Sequence, residues 1–404
     1  MPFTSLFMNF KKAFAAFYCS LLFLPQISKS QSKDDQYLIV GTYTRPNTKN
    51  PSEGIYVYKF NTNTGDFIAV SKATGIKNPS FLAVSPDQKF VYAVTETSDG
   101  SVTAFSFDKK SGNLTKLNTQ SSGGADPCHI SIDKTGKWVL VGNYSGGNLS
   151  ILPVNTDGSL GQITQTINHE GKGPNAGRQE KPHVHSVNIA LNNRDIFVPD
   201  LGIDKIMTYS LNAKNGKLLE GKPAFTKVAD GSGPRHFTIH PNGKFAYVIQ
   251  ELSSTVTAFN YASGKLTPFQ TITTLAEDFK NKNKSFCADI HISPDGNFLY
   301  GSNRFVDAGN KNGVFAPTNT IDTIVMYSID QKTGKLTYIG NEPVLGKIPR
   351  NFMITPNGKF VLVANQETDN ITIFKRDAKT GKLTPTGKQI EVPVPVCLKM
   401  VDVE

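Results

Sequence analysis

Histidine and arginine side chains carry the most evident chemistry in this 404-residue sequence. The chain has seven of each and otherwise relies mostly on lysine for its positive charge. Arginine binds carboxylate and phosphate groups through two parallel hydrogen bonds, and histidine transfers protons near neutral pH. A cluster of both types beside a carboxylate such as Glu251 would suit acid–base chemistry on an anionic small molecule.

A repeated unit must position these side chains. Seven short segments read Asp or Asn, a few polar residues, Gly and, two positions after the Gly, an apolar residue, although one copy has its Asn only at position 260. Successive glycines stand 46 to 58 residues apart, with one gap of 70. Glycine supplies the positive φ of a hairpin turn, which Asp or Asn caps. The period indicates an array of like units; the copies are 61–65, 108–112, 155–158, 212–216, 261–264, 330–334 and 377–381.

A second hairpin precedes most copies, so each unit holds four strands. Its turn starts with Pro, which favours the first turn position, at 86–89, 241–244, 294–297 and 356–359. Two hairpins make a four-stranded sheet, the blade of a β-propeller. The pattern therefore predicts an all-β fold, a seven-bladed β-propeller over residues 31–404. An open sandwich of several sheets is the alternative, which seven matched units disfavour.

The two ends of the chain predict how the ring closes. Segment 37–43 has the pattern of a second strand, whereas 396–401 has that of a first strand without a blade of its own. We therefore expect the C-terminal strand to complete the N-terminal blade, which leaves no unpaired edge at the seam.

Propeller geometry would bring the chemically active residues to one rim of the central channel. In each blade the first strand lines the channel and runs away from one face, and the second strand returns to that face. Openings of first strands and ends of second strands should therefore converge, with Arg178 in a loop that enters the rim. The converging residues are His129, His183, His185, Arg235, His236, Asp289, Arg350, Glu96, Asn143, Asp200, Glu251, Asn303, Arg304 and Gln366.

Some of these residues have a structural alternative. His129 can simply pack in the channel, and Glu251 with Arg235 can form a structural ion pair. Side chains that can cap turns at strand ends are Asn143, Asp200 and Asn303. Clustered histidines and acids can also bind a metal, but abundant arginine opposes a cation, so no metal is expected.

Charge and the N-terminal segment bear on partners and location. The net charge is +10, but the lysines are scattered without a basic run interleaved with aromatics, which disfavours nucleic-acid binding. Lys11 and Lys12 precede a mostly apolar segment, 13–25, that is too short to span a bilayer. Residues 1–30 are therefore interpreted as a signal peptide of an exported, periplasmic or extracellular protein without stable membrane insertion. Met8 is an alternative start.

The cysteines beyond this segment are expected to remain free thiols. They are Cys128, Cys287 and Cys397, and three cysteines cannot all pair with one another. Each falls in a predicted first strand, where a buried free thiol is common. A catalytic Cys128 is the less favoured alternative.

At the rim motifs the sequence resembles the seven-bladed β-propeller lactonase family, which holds bacterial 6-phosphogluconolactonases and fungal 3-carboxymuconate lactonizing enzymes. The resemblance covers essentially all of 37–404 and implies a cofactor-free enzyme acting on a lactone or its open acid. It implies catalytic roles for His183 or His185, Arg235, Glu251 and Arg304. The motifs are 41–44, 142–147, 178–185, 200–204, 233–236, 251–252, 302–304 and 364–366.

The resulting hypothesis is hydrolysis of a small anionic or polyhydroxylated lactone. Glu251 or His185 would activate a water, and Arg235 with Arg304 would stabilise the oxyanion. Arg178 and Arg350 would hold a distal carboxylate, hydroxyl array or phosphate. The residues expected to bind substrate are His129, Asn143, Arg178, Asp200, His236, Asn303, Arg350 and Gln366.

Two rival functions and one insertion remain open from sequence. The rivals are a lactone-forming cycloisomerase of the carboxymuconate type, which would use the same residues, and a non-enzymatic propeller that binds a ligand or protein. Because sugar phosphates are scarce outside the cytoplasm, export favours an unphosphorylated aldonolactone or another exported lactone. Residues 305–320 account for the 70-residue gap and form either a lid or specificity loop or a surface insertion. The oligomeric state is not specified.

Overall fold

The computed structural model describes residues 1–2, 34–45, 50–277, 279, 285–307, 316–317 and 320–404. The predicted signal peptide, from residue 3 onward, and most of the 305–320 insertion lie outside the described residues. Within the described ranges the regular elements are β-strands, and no helix there is long and apolar enough to cross a membrane.

Strands β1 to β15 form the first half of the fold. They are β1 Asp35–Thr42, β2 Gly54–Asn61, β3 Phe67–Thr74, β4 Leu82–Val84, β5 Phe90–Thr95, β6 Ser101–Asp108, β7 Asn113–Ser121, β8 Pro127–Ile132, β9 Trp138–Asn143, β10 Asn148–Pro153, β11 Gln165–Asn168, β12 Asn188–Ile189, β13 Asp195–Asp200, β14 Lys205–Asn212 and β15 Lys217–Lys227.

Strands β16 to β29 form the second half. They are β16 Pro234–Ile239, β17 Phe245–Gln250, β18 Thr255–Ala262, β19 Lys265–Thr273, β20 Ser285–Ile292, β21 Phe298–Asp307, β22 Ala316–Pro317, β23 Thr323–Ile329, β24 Leu336–Pro343, β25 Pro349–Ile354, β26 Phe360–Asn365, β27 Asn370–Arg376, β28 Leu383–Glu391 and β29 Pro395–Asp402.

The strands form seven antiparallel sheets in the described part of the chain, which confirms the predicted seven-bladed propeller. Six sheets have four strands, and the sheet of β20, β21, β23 and β24 gains the short β22, which pairs with the end of β21. β29 pairs with β1, from Gln36 opposite Asp402 to Gly41 opposite Cys397. The C-terminal strand therefore completes the N-terminal blade, as the sequence predicts.

The repeated glycine turn fastens each blade to a neighbour. Gly216 has a φ of +68°, and a Cβ atom there would lie 2.2 Å from the ring of Trp138. The indole nitrogen of Trp138 donates to the carbonyl oxygen of Ala213 in the same turn at 2.9 Å. Tyr247 makes the equivalent bond to the Gly334 carbonyl at 2.8 Å. Glycine is thus required both for the left-handed backbone and for close packing of an aromatic ring.

The hydrophobic core lies between adjacent blades rather than in one central mass. Buried residues of β1, β5 and β6 form one such layer, and those of β17, β20 and β23 form another. Cys128, Cys287 and Cys397 are buried free thiols, as expected.

One first strand is shorter than the sequence pattern predicts. The opening expected at Pro182 is not part of β12, and only Val184 forms an isolated bridge, with Asp200. A carboxylate oxygen of Asp200 instead accepts the backbone N–H groups of His183 and Gly202, at 2.7 and 3.0 Å. This side-chain contact competes with ladder pairing and holds the 182–187 segment in an irregular path.

Candidate active site

A buried carboxylate, that of Glu251, lies at the centre of the candidate active site. Glu251 directly follows β17, and its side chain is 2% exposed. Arg178 Nη2 donates to its Oε1 at 2.5 Å. Arg235 Nε and Arg304 Nη2 donate to its Oε2 at 2.8 and 3.1 Å. These four residues, all selected from sequence, therefore form one ion-pair cluster.

Burial and charge act in opposite directions on this cluster. Burial alone would raise the pKa of the Glu251 carboxyl, but the guanidinium groups of Arg178, Arg304 and Arg235 lower it below its ordinary value. Burial, only partly offset by Glu251, lowers the pKa of Arg304 to about 9. Glu251 is therefore an anion at neutral pH, held by its partners, and a weak proton acceptor.

Backbone carbonyls fix the two buried arginines. Arg235 Nη1 donates to the carbonyl of Ala288 at 2.5 Å, and Arg304 Nη2 donates to that of Cys287 at 2.8 Å. Both carbonyls belong to β20, so this strand holds the two guanidinium groups against the same carboxylate. Such prior fixing matters for catalysis because the donors need not reorganise when charge develops.

A β-bulge at the opening of several first strands sets the direction of further side chains. The pairing of β16 with β17 shifts between Pro234 and His236, which leaves Arg235 outside the ladder. The pairings of β8 and β25 shift at the equivalent place, just after the opening proline. A bulge re-aims the extra residue. Cys128, Arg235 and Arg350 are the bulged residues, and all three line one cavity.

This cavity lies in the channel and has a volume of about 10 Å³, enough for about one water molecule. Its lining is mostly polar and consists of Ser80, Phe81, Cys128, His185, Arg235, His236, Arg350 and Val396. The residues that directly follow an opening proline in the sequence are Ser80, Cys128, Arg235, Arg350 and Val396. The repeat unit therefore delivers one side chain per blade to the cavity from each of five blades.

Three histidines make edge contacts around the cavity. The ring centroid of His236 lies 5.5 Å from that of His185 and 5.6 Å from that of His129. Phe81 stacks on His129 at 4.3 Å. Burial, followed by the charge of Arg235, lowers the pKa of His185 well below its ordinary value and that of His236 to about 4. Both rings are therefore neutral at pH 7 and carry a lone pair that can accept a proton.

His183 lies beside this group and is committed to other partners. Its ring stacks on Tyr144 at 4.4 Å. Nδ1 lies 3.2 Å from the Tyr144 carbonyl oxygen, and Nε2 lies 3.1 Å from Oε1 of Glu180. Both contacting oxygens are hydrogen-bond acceptors, so these two contacts occupy both ring nitrogens of His183. Arg178 also donates to the Tyr144 hydroxyl at 3.3 Å, which connects His183 to the Glu251 cluster.

An anchored loop carries Arg178. The neighbouring Gln179 is fully buried, and its Nε2 donates to the carbonyl of Leu201 and to Oδ1 of Asp204, both at 2.8 Å. Asp204 is itself buried and accepts the backbone N–H of Gly233 at 2.8 Å. The loop is thereby attached to the β13–β14 turn, which lets Arg178 reach Glu251.

A second charged group shares the cavity through Ser80 and Arg350. Arg350 Nη2 lies 3.8 Å from Oε1 of Glu96, and its guanidinium lies 5.3 Å from the ring centroid of Tyr43. The hydroxyl of Tyr43 lies 2.8 Å from both Glu96 oxygens, and the Ser80 hydroxyl donates to Oε2. Glu96 is thus the carboxylate partner of Arg350, as Glu251 is that of the three arginines in its cluster.

Six residues expected to bind substrate lie outside the cavity lining. His129 and Arg178 are described above, and the other four are Asn143, Asp200, Asn303 and Gln366. Asp200 accepts from His169 Nδ1 at 2.6 Å and from the His183 backbone. Asn143 and Asn303 donate to the backbone carbonyls of Ser122 and Thr274. Gln366 donates to the carboxylate of Glu367. These contacts favour the structural alternative for Asn143, Asp200 and Asn303.

Four residues that complete the site were not singled out from sequence: Tyr43, Ser80, Tyr144 and Glu180. Glu96 and Asp289 were placed at the rim by strand position but were given no role in the chemistry. The position after the opening proline would have identified Ser80. Among the described residues, no group of three or more His, Cys, Asp or Glu side chains is arranged to hold a metal ion.

Comparison with known proteins gives one consistent family. The family model for lactonases with a seven-bladed β-propeller matches residues 37–400. A 6-phosphogluconolactonase from Formosa agariphila is 40% identical over 333 residues, 81% of this chain and 89% of the relative. One from Bacillus subtilis is 36% identical over 366 residues, 90% and 97% of the two chains. The solved periplasmic gluconolactonase of Pseudomonas aeruginosa is 33% identical with a TM-score of 0.82, covering 92% of this chain and all of that one.

Proposed function

Because the chain belongs to the seven-bladed β-propeller lactonase family, we propose that it hydrolyses a sugar lactone at the channel rim, beside the one-water cavity lined by His185, Arg235 and His236. The names of its relatives, 6-phosphogluconolactonase and gluconolactonase, support this reaction. The observation that carries this proposal is that the buried guanidinium group of Arg235 and that of Arg350 line one channel cavity together with the neutral rings of His185 and His236.

The charge balance of the site supports a substrate that develops or carries negative charge. Guanidinium groups outnumber carboxylates in the two connected clusters: Arg178, Arg235, Arg304 and Arg350 against Glu96 and Glu251. Hydrolysis of a lactone passes through a tetrahedral oxyanion and ends in a carboxylate. Both are stabilised by fixed positive charge in a water-poor site.

Each residue then has a distinct task. Arg235 lines the cavity and donates to the oxyanion that forms when water attacks the lactone carbonyl. Arg304, which donates to the same Glu251 oxygen as Arg235, adds positive charge. Glu251 positions the arginines rather than activating water, because they lower its pKa and occupy its oxygens. A neutral histidine of the cavity accepts the proton.

The substrate we propose is an unphosphorylated aldonolactone handled outside the cytoplasm. The sequence interpretation of residues 1–30 supports export, and the Pseudomonas neighbour is named as periplasmic. Arg178 and Arg350 have side-chain exposures of 27% and 16%, and in this proposal they contact the hydroxyl groups of the lactone or the carboxylate that forms when the ring opens. A phosphorylated lactone would bind through the same two side chains.

The test compares the purified protein on glucono-δ-lactone and 6-phosphogluconolactone against spontaneous opening in buffer. We expect acceleration of the unphosphorylated lactone at least as large as that of the phosphorylated one. Arg235→Ala and Glu251→Ala should both lose it. Stronger acceleration of the phosphorylated lactone would correct the substrate, and acceleration of neither would refute the function. Lactone formation from 3-carboxymuconate would instead support the cycloisomerase.

A further inference from the structure

A second buried carboxylate, that of Asp289 in β20, lies beside the cavity without belonging to the arginine clusters. Its side chain is 3% exposed. Oδ1 lies 2.7 Å from Nδ1 of His236, and Oδ2 lies 2.9 Å from Nε2 of His291. Asn351 Nδ2 and the backbone N–H of Phe352 also donate to Oδ2. Three blades therefore fix this carboxylate, through β16, β20 and β25.

The contact with Asp289 fixes the tautomer of His236. An ionised carboxylate only accepts hydrogen bonds, so the proton of the His236 ring must lie on Nδ1. Burial alone would raise the pKa of the Asp289 carboxyl, but His291 and His236 lower it well below its ordinary value. Asp289 is therefore ionised. In the neutral ring the lone pair is then on Nε2. Since the ring of His236 lines the cavity beside Arg235, this nitrogen is the acceptor available there.

The other three histidines near the site lack this arrangement. Nδ1 of His129 accepts the backbone N–H of Val187 at 3.3 Å. His183 is occupied at both nitrogens by Tyr144 and Glu180. The nearest carboxylate oxygen to His185 is that of Glu251, at 3.9 Å from Nε2, which is beyond hydrogen-bond distance. A carboxylate that orients a histidine through one nitrogen while the other meets the reaction is the recurring design of general bases.

The charges around His236 keep the ring neutral until the reaction supplies a counter-charge. Burial and Arg235 lower its pKa to about 4, and Asp289 opposes them. His291 from β20 also lowers it, and the uncharged rings of His185 and His129 lie against it. The ring is therefore neutral at pH 7 and can accept a proton. A tetrahedral oxyanion formed beside the ring would stabilise the imidazolium when the proton arrives.

We propose that His236 is the proton-transferring residue of the reaction and that Asp289 is its positioning residue, an assignment that rests on the proposed lactone hydrolysis. Nε2 of His236 takes a proton from water as the water oxygen bonds to the lactone carbonyl carbon. The carbon–oxygen bond of the ring then breaks, and His236 returns the proton to the departing oxygen, which becomes a hydroxyl. The new carboxylic acid loses its proton to solvent. This replaces Glu251 or His185 as the base.

The test combines kinetics with a direct reading of the tautomer. Glucono-δ-lactone hydrolysis is measured for the parent, His236→Gln, Asp289→Asn and His291→Gln, and ¹⁵N NMR of labelled histidine rings is recorded for each. We expect His236→Gln and Asp289→Asn to lower kcat on the order of 10²–10⁴-fold with KM changed less. The parent spectrum should assign the His236 proton to Nδ1. Asp289→Asn should shift it towards Nε2.

His291→Gln is the matched control, because it removes a contact to the same carboxylate from a ring that is 38% exposed. It should lower kcat less than Asp289→Asn does and leave the His236 tautomer unchanged. If it lost as much activity as Asp289→Asn, Asp289 would be a structural residue only. If Asp289→Asn fails to fold, the kcat of His236→Gln tests the proposal, because the glutamine amide keeps a hydrogen-bond donor towards Asp289.

The outcomes separate this proposal from the proposed function. A parent that accelerates the lactone while His236→Gln keeps its kcat overturns the role of His236 and leaves the lactonase standing. A parent without activity overturns both, even with the Nδ1 tautomer present. A His236 proton found on Nε2 refutes the positioning by Asp289 whatever the rates are.

Discussion

Replacing Glu251 by Gln should destabilise the protein markedly, because three arginines depend on this one carboxylate. The change keeps the shape of the side chain and removes its charge, so Arg178, Arg235 and Arg304 lose their common partner. Breaking a buried ion pair by removing one partner costs about 3–5 kcal/mol. With an unfolding entropy of about 2.1 cal/mol/K per residue over about 370 residues, this lowers Tm by roughly 4–6 °C.

The effect should depend on pH in a defined direction. The folded-state pKa of Glu251 lies below its unfolded value of about 4.3. A depressed carboxyl pKa contributes stability that is fully present above the unfolded pKa and lost as pH falls through the folded pKa. The Tm difference between parent and Glu251→Gln should therefore be constant from about pH 6 to 8 and narrow in acid, below about pH 4.

Differential scanning calorimetry at pH 7 and at the lowest pH where the parent stays folded measures this. Glu367→Gln is the control, since Glu367 pairs with Arg45 at 2.7 Å but both are partly exposed, at 16% and 26%. It should cost at most about 1 kcal/mol. By the same entropy, the control should lower Tm by about 1 °C at most. A Glu251→Gln protein whose Tm at pH 7 lies within about 1 °C of the parent's would therefore refute the reasoning. So would a Tm difference that does not shrink in acid.

Three further results are expected. Burial raises the pKa of Cys128, Cys287 and Cys397, so these thiols should react with a thiol reagent only after unfolding; rapid labelling of the native protein would contradict their burial. Expression of the full sequence in an exporting host should yield an extracytoplasmic chain that begins at Gln31, and N-terminal sequencing that finds Met1 or Met8 on a cytoplasmic protein would reject the signal peptide. Gly216→Ala should lower the urea midpoint of unfolding more than Gly75→Ala does. Both glycines have a positive φ, but only at Gly216 would the added Cβ atom meet a ring, that of Trp138 at 2.2 Å. Equal losses would mean that the contact with Trp138 adds nothing to the backbone strain.

The fold could be predicted almost completely from the sequence because its signal is repeated. Each glycine turn alone is weak, but seven in register fix the number of blades, and the strand left over at the C-terminus fixes the seam with β1. The short β12 could not be foreseen. Its irregular opening depends on a contact between Asp200 and the His183 backbone, which joins positions 17 residues apart.

The sequence predicts which residues belong to the candidate site better than it predicts what each of them does. Strand position alone placed Arg235, Arg304 and Glu251 together, as the structure has them. It could not distinguish the residues that cap strand ends, such as Asn143, from those that reach the cavity. That distinction arises from the bulge after each opening proline, a register shift of one residue that composition does not reveal.

The role of Glu251 also required the structure. From sequence it was an available base, whereas its two oxygens face three guanidinium groups and its pKa is lowered. Asp289 was visible at the rim, but its link to His236 crosses between two blades and has no signature in the spacing of either one.

Turnover of glucono-δ-lactone by Arg235→Ala, beside Arg304→Ala and the parent, tests the central claim most directly. Arg235 lines the cavity, whereas Arg304, which donates to the same Glu251 oxygen, lies outside the lining. Loss of an oxyanion donor should lower kcat by about 10²–10³-fold with KM changed far less, and Arg235→Ala should lose more than Arg304→Ala. An Arg235→Ala protein that folds and hydrolyses the lactone at the parent rate would contradict the account.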